Sequence, residues 1–159
     1  MKELPHTHTC FVCGESNPTG LKLRFHTDGR VVEARFVPRP EHIGFKGVVH
    51  GGLIATVLDE IMVWACAVQT RQFSYCAELT VRFQNPLRPG EEVLAVGELV
   101  TNRKGKIFEA RSSLRDAAGN IFAEATGKYL PVKNVALSEL IGDVVGDASW
   151  LFADSGKNP

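Results

Sequence analysis

The sequence has no net charge, no secretory signal and no unbroken hydrophobic run long enough to span a membrane. Its 159 residues include 18 basic and 18 acidic side chains, a balance that argues against general binding to nucleic acid or to an anionic membrane. The first ten residues contain no apolar run, and glycines and two acids interrupt the most apolar stretch, residues 47–68. We therefore expect a cytoplasmic protein with no nucleic-acid or membrane partner, whose four cysteines are reduced thiols.

The chain also lacks internal repeats, low-complexity tracts and a central linker. A chain of this length supports one domain with a real core. We expect an N-terminal loop segment over residues 1–20 and a single folded domain over 21–132. The C-terminal region, 133–159, is expected to hold a short helix at 137–145 and a loose polar tail.

The periodicity of the apolar residues predicts one helix among strands. Residues 21–25 and 30–37 have the composition of a hairpin, whereas the prolines and glycines of 38–47 predict a loop. Residues 74–83 alternate as in a half-buried strand, and three more strand-like runs lie between 91 and 132.

These runs surround a single helix that we expect to extend from about Gly51 to Val68. One long helix against about five or six mostly antiparallel strands is an α+β architecture with one helix-on-sheet core.

The predicted helix has two unlike faces. Its broad apolar stripe is expected to lie on the sheet, and the opposite row contains small residues with Asp59 as the only charge. Glu60 falls at the edge between the faces and is expected to be more easily solvated. A buried carboxylate is usually paired, protonated or used in chemistry. Asp59 could therefore pair with a cation, cap a neighbouring backbone group, or carry a function.

Two glycines at the start of this helix favour the functional interpretation. The amides of Gly51 and Gly52 would point outward at the positive end of the helix dipole, where a carbonyl oxygen could become an oxyanion. Asp59 follows about two turns later.

The stretch HIGFKGVVHGGLIATVLDE, residues 42–60, resembles the signature of the hotdog-fold acyl-CoA thioesterases of the phenylacetyl-CoA thioesterase (PaaI) type. In that family a His-Gly-Gly opens the long central helix and an Asp lies nine residues after the His, a spacing that His50 and Asp59 reproduce. The resemblance extends over roughly residues 10–131 and includes the strand after the helix and the last two strands.

The resemblance implies a hotdog fold, in which a curved antiparallel sheet wraps the central helix. It implies hydrolysis of an acyl-CoA to the free acid and coenzyme A, with no cofactor other than the coenzyme A of the substrate. Asp59 would act as general base or nucleophile from the facing chain of a homodimer, or of a dimer of such dimers, and the Gly51 or Gly52 amide would hold the carbonyl oxygen. His50 would orient the loop or the substrate, with His42 as a second polar group beside it.

One departure from the family pattern concerns the residue that supports the catalytic Asp. Many members place Thr or Ser at the start of the following strand, where this chain has Cys76. Ser74, two residues earlier, is a possible substitute.

Basic residues cluster around a glycine at a predicted strand-to-strand turn. Arg103, Lys104 and Lys106 would either bind the phosphates of coenzyme A or form a solvated hairpin tip.

The N-terminal HTHTCFVCG contains the ligand types of a structural zinc site: His6, His8, Cys10 and Cys13. The spacing crowds three of these residues into five positions, and no second Cys-x-x-C is present. A redox Cys-x-x-C would require a thioredoxin-like context that the following residues do not supply. We therefore expect no metal, and interpret the two cysteines as small packing residues.

Two other functions compete with hydrolysis. An enoyl-CoA hydratase on the same fold needs a paired Asp and His on a different loop pattern, which this sequence does not show. A non-catalytic hotdog module that binds acyl-CoA is the alternative, and the presence of Asp59 argues against it.

Overall fold

The computed structural model of the chain describes residues 1–132 and 141–152, and one 20-residue helix, α1 (Gly51–Thr70), lies at its centre. His50 caps the start of α1, and the helix ends at Arg71, whose left-handed backbone (φ 56°) stops propagation. The predicted helix is therefore confirmed, with two further residues at its C-terminal end. By length and composition α1 could cross a membrane, but half of that stretch is buried inside the fold, as in a core helix.

Seven antiparallel strands form the main sheet, in the order β1-β3-β4-β8-β9-β10-β7. Two small two-stranded sheets, β2 with β11 and β5 with β6, lie outside it. In chain order the strands are β1 (Lys2–Glu3), β2 (His6–Thr7), β3 (His26–Thr27), β4 (Val31–Phe36), β5 (Ile43–Phe45), β6 (Val48–Val49), β7 (Ser74–Phe83), β8 (Val93–Arg103), β9 (Ile107–Arg115), β10 (Ile121–Pro131) and β11 (Val144–Val145). A 3₁₀ turn covers Pro40–His42, and a short helix, α2, covers Ser149–Phe152.

The apolar face of α1 packs on β4 and β7–β10 and forms one core with them. The helix approaches β8 closely at Gly97, where an added Cβ would lie 2.7 Å from the Ile61 carbonyl oxygen. The buried Ser112 hydroxyl of β9 donates to the Leu58 carbonyl at 3.0 Å. The buried residues of the helix are Ile54, Val57, Leu58, Ile61, Met62, Trp64, Ala65, Cys66 and Ala67. These contacts confirm the predicted α+β architecture.

The predicted strand over residues 21–25 is wrong. Lys22 adopts a left-handed backbone (φ 60°), which interrupts an extended strand. Leu21 and Leu23 instead donate hydrogen bonds to the carbonyls of Phe11 and Val12, so this segment holds the N-terminal loop against the domain. The hairpin itself is formed by β3 and β4, further along the chain.

The predicted loop over 38–47 contains more order than its composition indicated. Here β5 and β6 form a small hairpin around Lys46 and Gly47, both with positive φ (43° and 73°). In the C-terminal stretch predicted as a helix, residues 141–143 are helical, and β11 then follows and pairs with β2. Part of that stretch, up to residue 140, and the predicted polar tail at 153–159 lie outside the described residues. The division of the chain into three segments stays a prediction.

Candidate active site

His50 organises the start of α1 through its side chain. Its Nδ1 accepts a hydrogen bond from the Gly52 N–H at 2.9 Å, and its carbonyl accepts one from Leu53 at 3.0 Å. The Gly52 amide, one of the two predicted oxyanion donors, is therefore already engaged. Within the described part of the chain, no group accepts a hydrogen bond from the Gly51 N–H. Gly51 thus presents the available donor at this end of the helix.

Close packing surrounds this donor. A Cβ on Gly51 would lie 3.2 Å from the Phe83 ring, and a Cβ on Gly44 would lie 2.9 Å from the His50 Cα. The two glycines therefore allow the ring of Phe83 and the backbone of His50 to approach. A shallow pocket of about 420 Å³ opens here, lined by Gly44, Phe45, Val48, Val49, His50 and Gly51.

Tyr129 holds the Asp59 carboxylate. The buried Tyr129 hydroxyl donates to Asp59 Oδ1 at 2.8 Å, and burial together with the Asp59 charge raises the pKa of the phenol far above its ordinary value. The ring finds room because Gly127 has no side chain; a Cβ there would lie 2.6 Å from the ring. Tyr129 therefore stays protonated and serves as a fixed hydrogen-bond donor to Asp59.

Cys76 lies against the same carboxylate. Burial, and secondarily the Asp59 charge, raises the pKa of its thiol to about 11, so the thiol stays protonated at neutral pH. Cys76 is thus a neutral and partly solvent-exposed neighbour of Asp59.

A bulge in β7 determines which residues face α1. Cys76 pairs with Tyr129 and Glu78 pairs with Lys128, so Ala77 is an extra residue with no counterpart in β10. Strict alternation would place Cys76 on the face of Glu78, which points outward and forms an ion pair with Lys128 at 3.0 Å. The bulge instead places Cys76 on the face of its partner Tyr129, where the residue is still exposed.

Ser74 and His42, the two other predicted polar residues, have different surroundings. The Ser74 hydroxyl is buried and has no hydrogen-bond partner among the described residues. His42 is buried and stacks on Phe36, its Nδ1 accepts from the Arg39 N–H at 3.0 Å, and its carbonyl accepts from the His50 N–H. Burial lowers the pKa of His42 and keeps the ring neutral. The contacts of His42 with Arg39 and His50 fix the loop that precedes α1. Contact of Ser74 or His42 with a substrate stays a prediction.

The prediction that Glu60 is easily solvated is wrong. Its carboxylate lies under the N-terminal loop, where the Sγ atoms of Cys10 and Cys13 are each 3.8 Å from Oε1. Burial, followed by the proximity of Cys10, raises the pKa of Glu60 to about 8. The helical wheel missed this environment because the covering loop is distant in the sequence.

The basic turn between β8 and β9 is a tight hairpin tip. Lys104 and Gly105 both have positive φ (53° and 68°), as in a type I′ turn. Arg103 is paired with Glu109 at 2.6 Å, whereas in the described ranges Lys104 and Lys106 have no ion-pair partner. Among the described residues, the tip therefore has two ammonium groups without an ion-pair partner.

The strand register brings this tip to the same end of the sheet as the Asp59 contacts. Phe108, two residues after Lys106, pairs with Tyr129, and Tyr129 pairs with Cys76. The basic tip and the Asp59 neighbours Tyr129 and Cys76 are thus close in sheet register, although 23 to 30 residues separate them in the chain.

A larger depression of about 500 Å³ lies along the strands and contains neither Asp59 nor Gly51. Among its charged side chains, Arg111 is already paired with Glu98. We therefore place the candidate site at α1, where a carboxylate and a free amide are both positioned.

Sequence reasoning missed Tyr129. A weak signal was present, because the inward positions of β10 are Ala123, Ala125, Gly127 and Tyr129. A tyrosine that follows three small residues on a buried face needs a partner for its hydroxyl. Its partner could not be named without the bulge and the position of the helix.

Comparison with known proteins places these features in a family. The sequence model of the family described as the thioesterase superfamily matches residues 46–127, which is more than half of the chain. No curated protein matches the chain significantly. A solved thioesterase superfamily protein superposes with a TM-score of 0.71 and 23% identity over 77% of this chain and 63% of that one, so this chain covers less than two thirds of its length.

Two further structures share the fold at lower identity. The PaaI protein of the E. coli phenylacetic acid degradation operon superposes with a TM-score of 0.65 and 16% identity, over 72% of this chain and 82% of that one. A Streptococcus mutans protein bound to acetyl CoA superposes with a TM-score of 0.65 and 15% identity, over 70% of this chain and 90% of that one. The fold and the family match agree, and the chain belongs to the thioesterase superfamily, with the hotdog fold of its members.

Proposed function

We propose that this thioesterase-superfamily chain hydrolyses acyl-CoA thioesters to the free acid and coenzyme A. The observation that carries the proposal is the Asp59 carboxylate, which the buried Tyr129 hydroxyl holds at 2.8 Å on a helix that begins with a free amide at Gly51. A carboxylate and an oxyanion donor are the two groups that acyl transfer to water requires. The related fold with bound acetyl CoA supports this class of substrate.

The two groups cannot act on one carbonyl from the same chain. Asp59 follows Gly51 by eight residues on one helix, which corresponds to about 12 Å along its axis. An attacking water must lie about 3 Å from both the base and the carbonyl carbon, whose oxygen lies about 3 Å from the amide. We therefore infer that Gly51 of one chain and Asp59 of the partner subunit form each site.

The edge of the sheet supports a second chain at this position. In the described part of the chain, β7 pairs only with β10 and leaves its other edge open along ten residues. Tyr75 and Phe83 on this strand are 57% and 53% exposed. Long open edges with exposed aromatic residues are rare on monomers. A homodimer, or a dimer of such dimers, would cover this strand and complete the site.

The reaction follows from the placed groups. The thioester carbonyl oxygen accepts the Gly51 N–H, and Asp59 of the partner subunit takes a proton from water as the water oxygen bonds to the carbonyl carbon. The tetrahedral intermediate collapses with cleavage of the C–S bond, and the proton returns to the coenzyme A thiolate. In the alternative route Asp59 attacks the carbonyl directly and water hydrolyses the resulting anhydride.

Isotope labelling identifies a nucleophilic route in which water attacks the Asp59 carbon of the anhydride. In a single turnover in H₂¹⁸O, the general-base route places ¹⁸O in the acid product. The nucleophilic route leaves the first product unlabelled if water attacks the Asp59 carbon of the anhydride, and labels the carboxylate of Asp59 instead.

The basic tip would bind the coenzyme A end of the substrate. Lys104 and Lys106 place two ammonium groups, unpaired within the described ranges, at the end of the sheet that carries Tyr129. Phosphate groups bind to such cations. Arg103 contributes less because Glu109 already neutralises it.

The decisive experiment measures release of free coenzyme A from a panel of acyl-CoAs with a thiol reagent. The wild-type protein should release coenzyme A catalytically, and Asp59→Asn should reduce turnover by roughly 10² or more because the variant keeps the size of the side chain and loses the base. Acyl-CoA binding without release by the wild type would establish the non-catalytic binding module instead. Neither binding nor release across the panel would exclude acyl-CoA as the ligand.

A further inference from the structure

The N-terminal loop brings two thiols to a carboxylate of the central helix. Cys10 Sγ and Cys13 Sγ each lie 3.8 Å from Glu60 Oε1, and the three ligand atoms lie within 4.8 Å of one another. No other group of three cysteine, histidine or acidic side chains converges this closely in the described ranges. The proposed hydrolysis does not use any of these three residues.

The loop that carries the thiols has a fixed shape. The Val12 N–H donates to Cys10 Sγ at 3.3 Å, and the Gly14 N–H donates to the Cys10 carbonyl at 2.9 Å. A Cβ on Gly14 would lie 2.3 Å from that carbonyl oxygen, so glycine is required at this position. The Arg24 guanidinium donates to the Cys13 carbonyl at 2.9 Å. N–H groups directed at sulfur stabilise thiolates, which are the metal-binding form of cysteine.

The two histidines near this loop do not join the cluster. His6 Nε2 and His8 Nδ1 each lie 3.0 Å from a carboxylate oxygen of Glu15. The set of four ligands suggested by the N-terminal sequence is therefore not assembled. A residue fifty positions away, Glu60, takes the place next to the cysteines.

We propose that Cys10, Cys13 and Glu60 bind one zinc ion, with a water molecule as the fourth ligand. Zinc bonds to thiolate sulfur and carboxylate oxygen are about 2.3 and 2.1 Å long, so a tetrahedral ion holds sulfur and oxygen about 3.6 Å apart. The observed separations of 3.8 Å differ from this value by only 0.2 Å. Two thiolates favour zinc over magnesium or calcium, which prefer oxygen ligands.

Zinc binding releases the protons of the two thiols. Each thiol loses its proton to solvent as a Zn–S bond forms, and Glu60 binds as the carboxylate. The bound ion would attach the N-terminal segment to the turn of α1 that also carries Asp59. It thereby stabilises the fold at this turn without contact to the reacting atoms. This inference revises the sequence-based expectation that the chain binds no metal.

The test uses the full-length reduced protein, freed of metal by dialysis against a chelator. Zinc content is measured after equilibration with zinc, and cobalt is titrated in parallel because cobalt bound to thiolate gives charge-transfer absorption. Cys10→Ser, Cys13→Ser and Glu60→Gln change the proposed ligands. Cys66→Ala is the matched control, because Cys66 is a buried thiol of the same helix outside the cluster.

The wild type and Cys66→Ala should each bind one zinc per chain and show the cobalt–thiolate absorption. Both should melt about 5 to 10 °C higher when free zinc exceeds its Kd about a hundredfold. Cys10→Ser and Cys13→Ser should lose the cobalt signal and the shift in Tm. Glu60→Gln should keep a weak cobalt signal and bind zinc at least about tenfold less tightly.

Two results would overturn the proposal. If the reduced wild type binds no zinc at concentrations that saturate ordinary protein sites, the thiols only donate hydrogen bonds to Glu60. If the purified chain instead has a mass lower by two hydrogen atoms and binds zinc neither before nor after reduction, Cys10 and Cys13 form a disulfide rather than a metal site. Both measurements use the wild type and remain decisive even if a serine variant fails to fold.

Discussion

The role of the Gly51 amide can be tested by a substitution that removes its N–H. Gly51 is the first helical residue of α1, and its N–H has no acceptor in the described part of the chain. Proline is favoured at this position because it lacks only a donor that the helix does not use. The preceding residue, His50, already has the extended backbone (φ −59°, ψ 128°) that a following proline requires. Gly51→Pro should therefore fold, with a change in unfolding free energy of about 1 kcal/mol or less.

The predicted effect on catalysis is much larger than the effect on stability. Loss of one oxyanion donor reduces kcat by about 10²–10³, equivalent to roughly 2.7–4 kcal/mol of transition-state stabilisation. Gly51→Ala is the matched control because it adds a Cβ near the Phe83 ring, at 3.2 Å, and keeps the N–H. This Cβ meets only the far end of the Phe83 ring, so the alanine variant should stay much more active than the proline variant.

The assay is the release of coenzyme A, measured with thermal unfolding and sizing of each variant. Sizing is needed because Gly51 lies beside β7, the strand that we place at the subunit interface. A folded, dimeric Gly51→Pro protein with the turnover of Gly51→Ala would refute an oxyanion site at this amide. The helix start would then serve only to fix the position of His50.

Four other predictions test the site and its surroundings. Asp59→Asn should lower kcat by roughly 10² or more in coenzyme A release, with the fold and dimer intact by circular dichroism and sizing. Tyr129→Phe removes a hydrogen bond to a carboxylate worth about 1.5–3 kcal/mol, so kcat should fall about 10- to 100-fold in the same assay; an unchanged kcat would refute the positioning role. Lys104→Ala with Lys106→Ala should raise KM for acyl-CoA and leave KM unchanged for a short thioester without the nucleotide. Burial lowers the pKa of His42, so as pH falls below about 6.5 the unfolded state binds a proton before the folded state does. The free energy of unfolding therefore decreases in this pH range. His42→Gln should reduce that decrease, measured by urea titrations at about pH 7.5 and 5.5.

Periodicity was sufficient to predict the elements with strong repeating patterns. The helix that starts at Gly51 was located within two residues, and β7 was predicted from its alternation alone. The spacing of His50 and Asp59 led to the family that the comparisons confirm. The segment at 21–25 was mistaken for a strand because a positive φ at Lys22 leaves no mark in an apolar alternation.

Contacts between distant segments could not be predicted in the same way. Glu60 was expected in solvent because a helical wheel contains only the residues of the helix, and the loop that covers it starts fifty residues earlier. The pairing of Arg103 with Glu109 was equally hidden, because it depends on the hairpin register. Such contacts become predictable only once the pairing of segments is known.

A shift of one residue in the register of β7 decides which side chains lie beside Asp59. If β7 continued its alternation past Glu78, Ala77 would share the face of Tyr129 and Cys76 would share the face of Glu78. The bulge at Ala77 reverses this for every residue before it, so Cys76 pairs with Tyr129 and joins it beside the carboxylate. The ion pair between Glu78 and Lys128 is not affected, because Glu78 follows the bulge in the chain. A local irregularity that composition does not reveal therefore decides which side chains support Asp59, while Asp59 itself is identifiable from the helix.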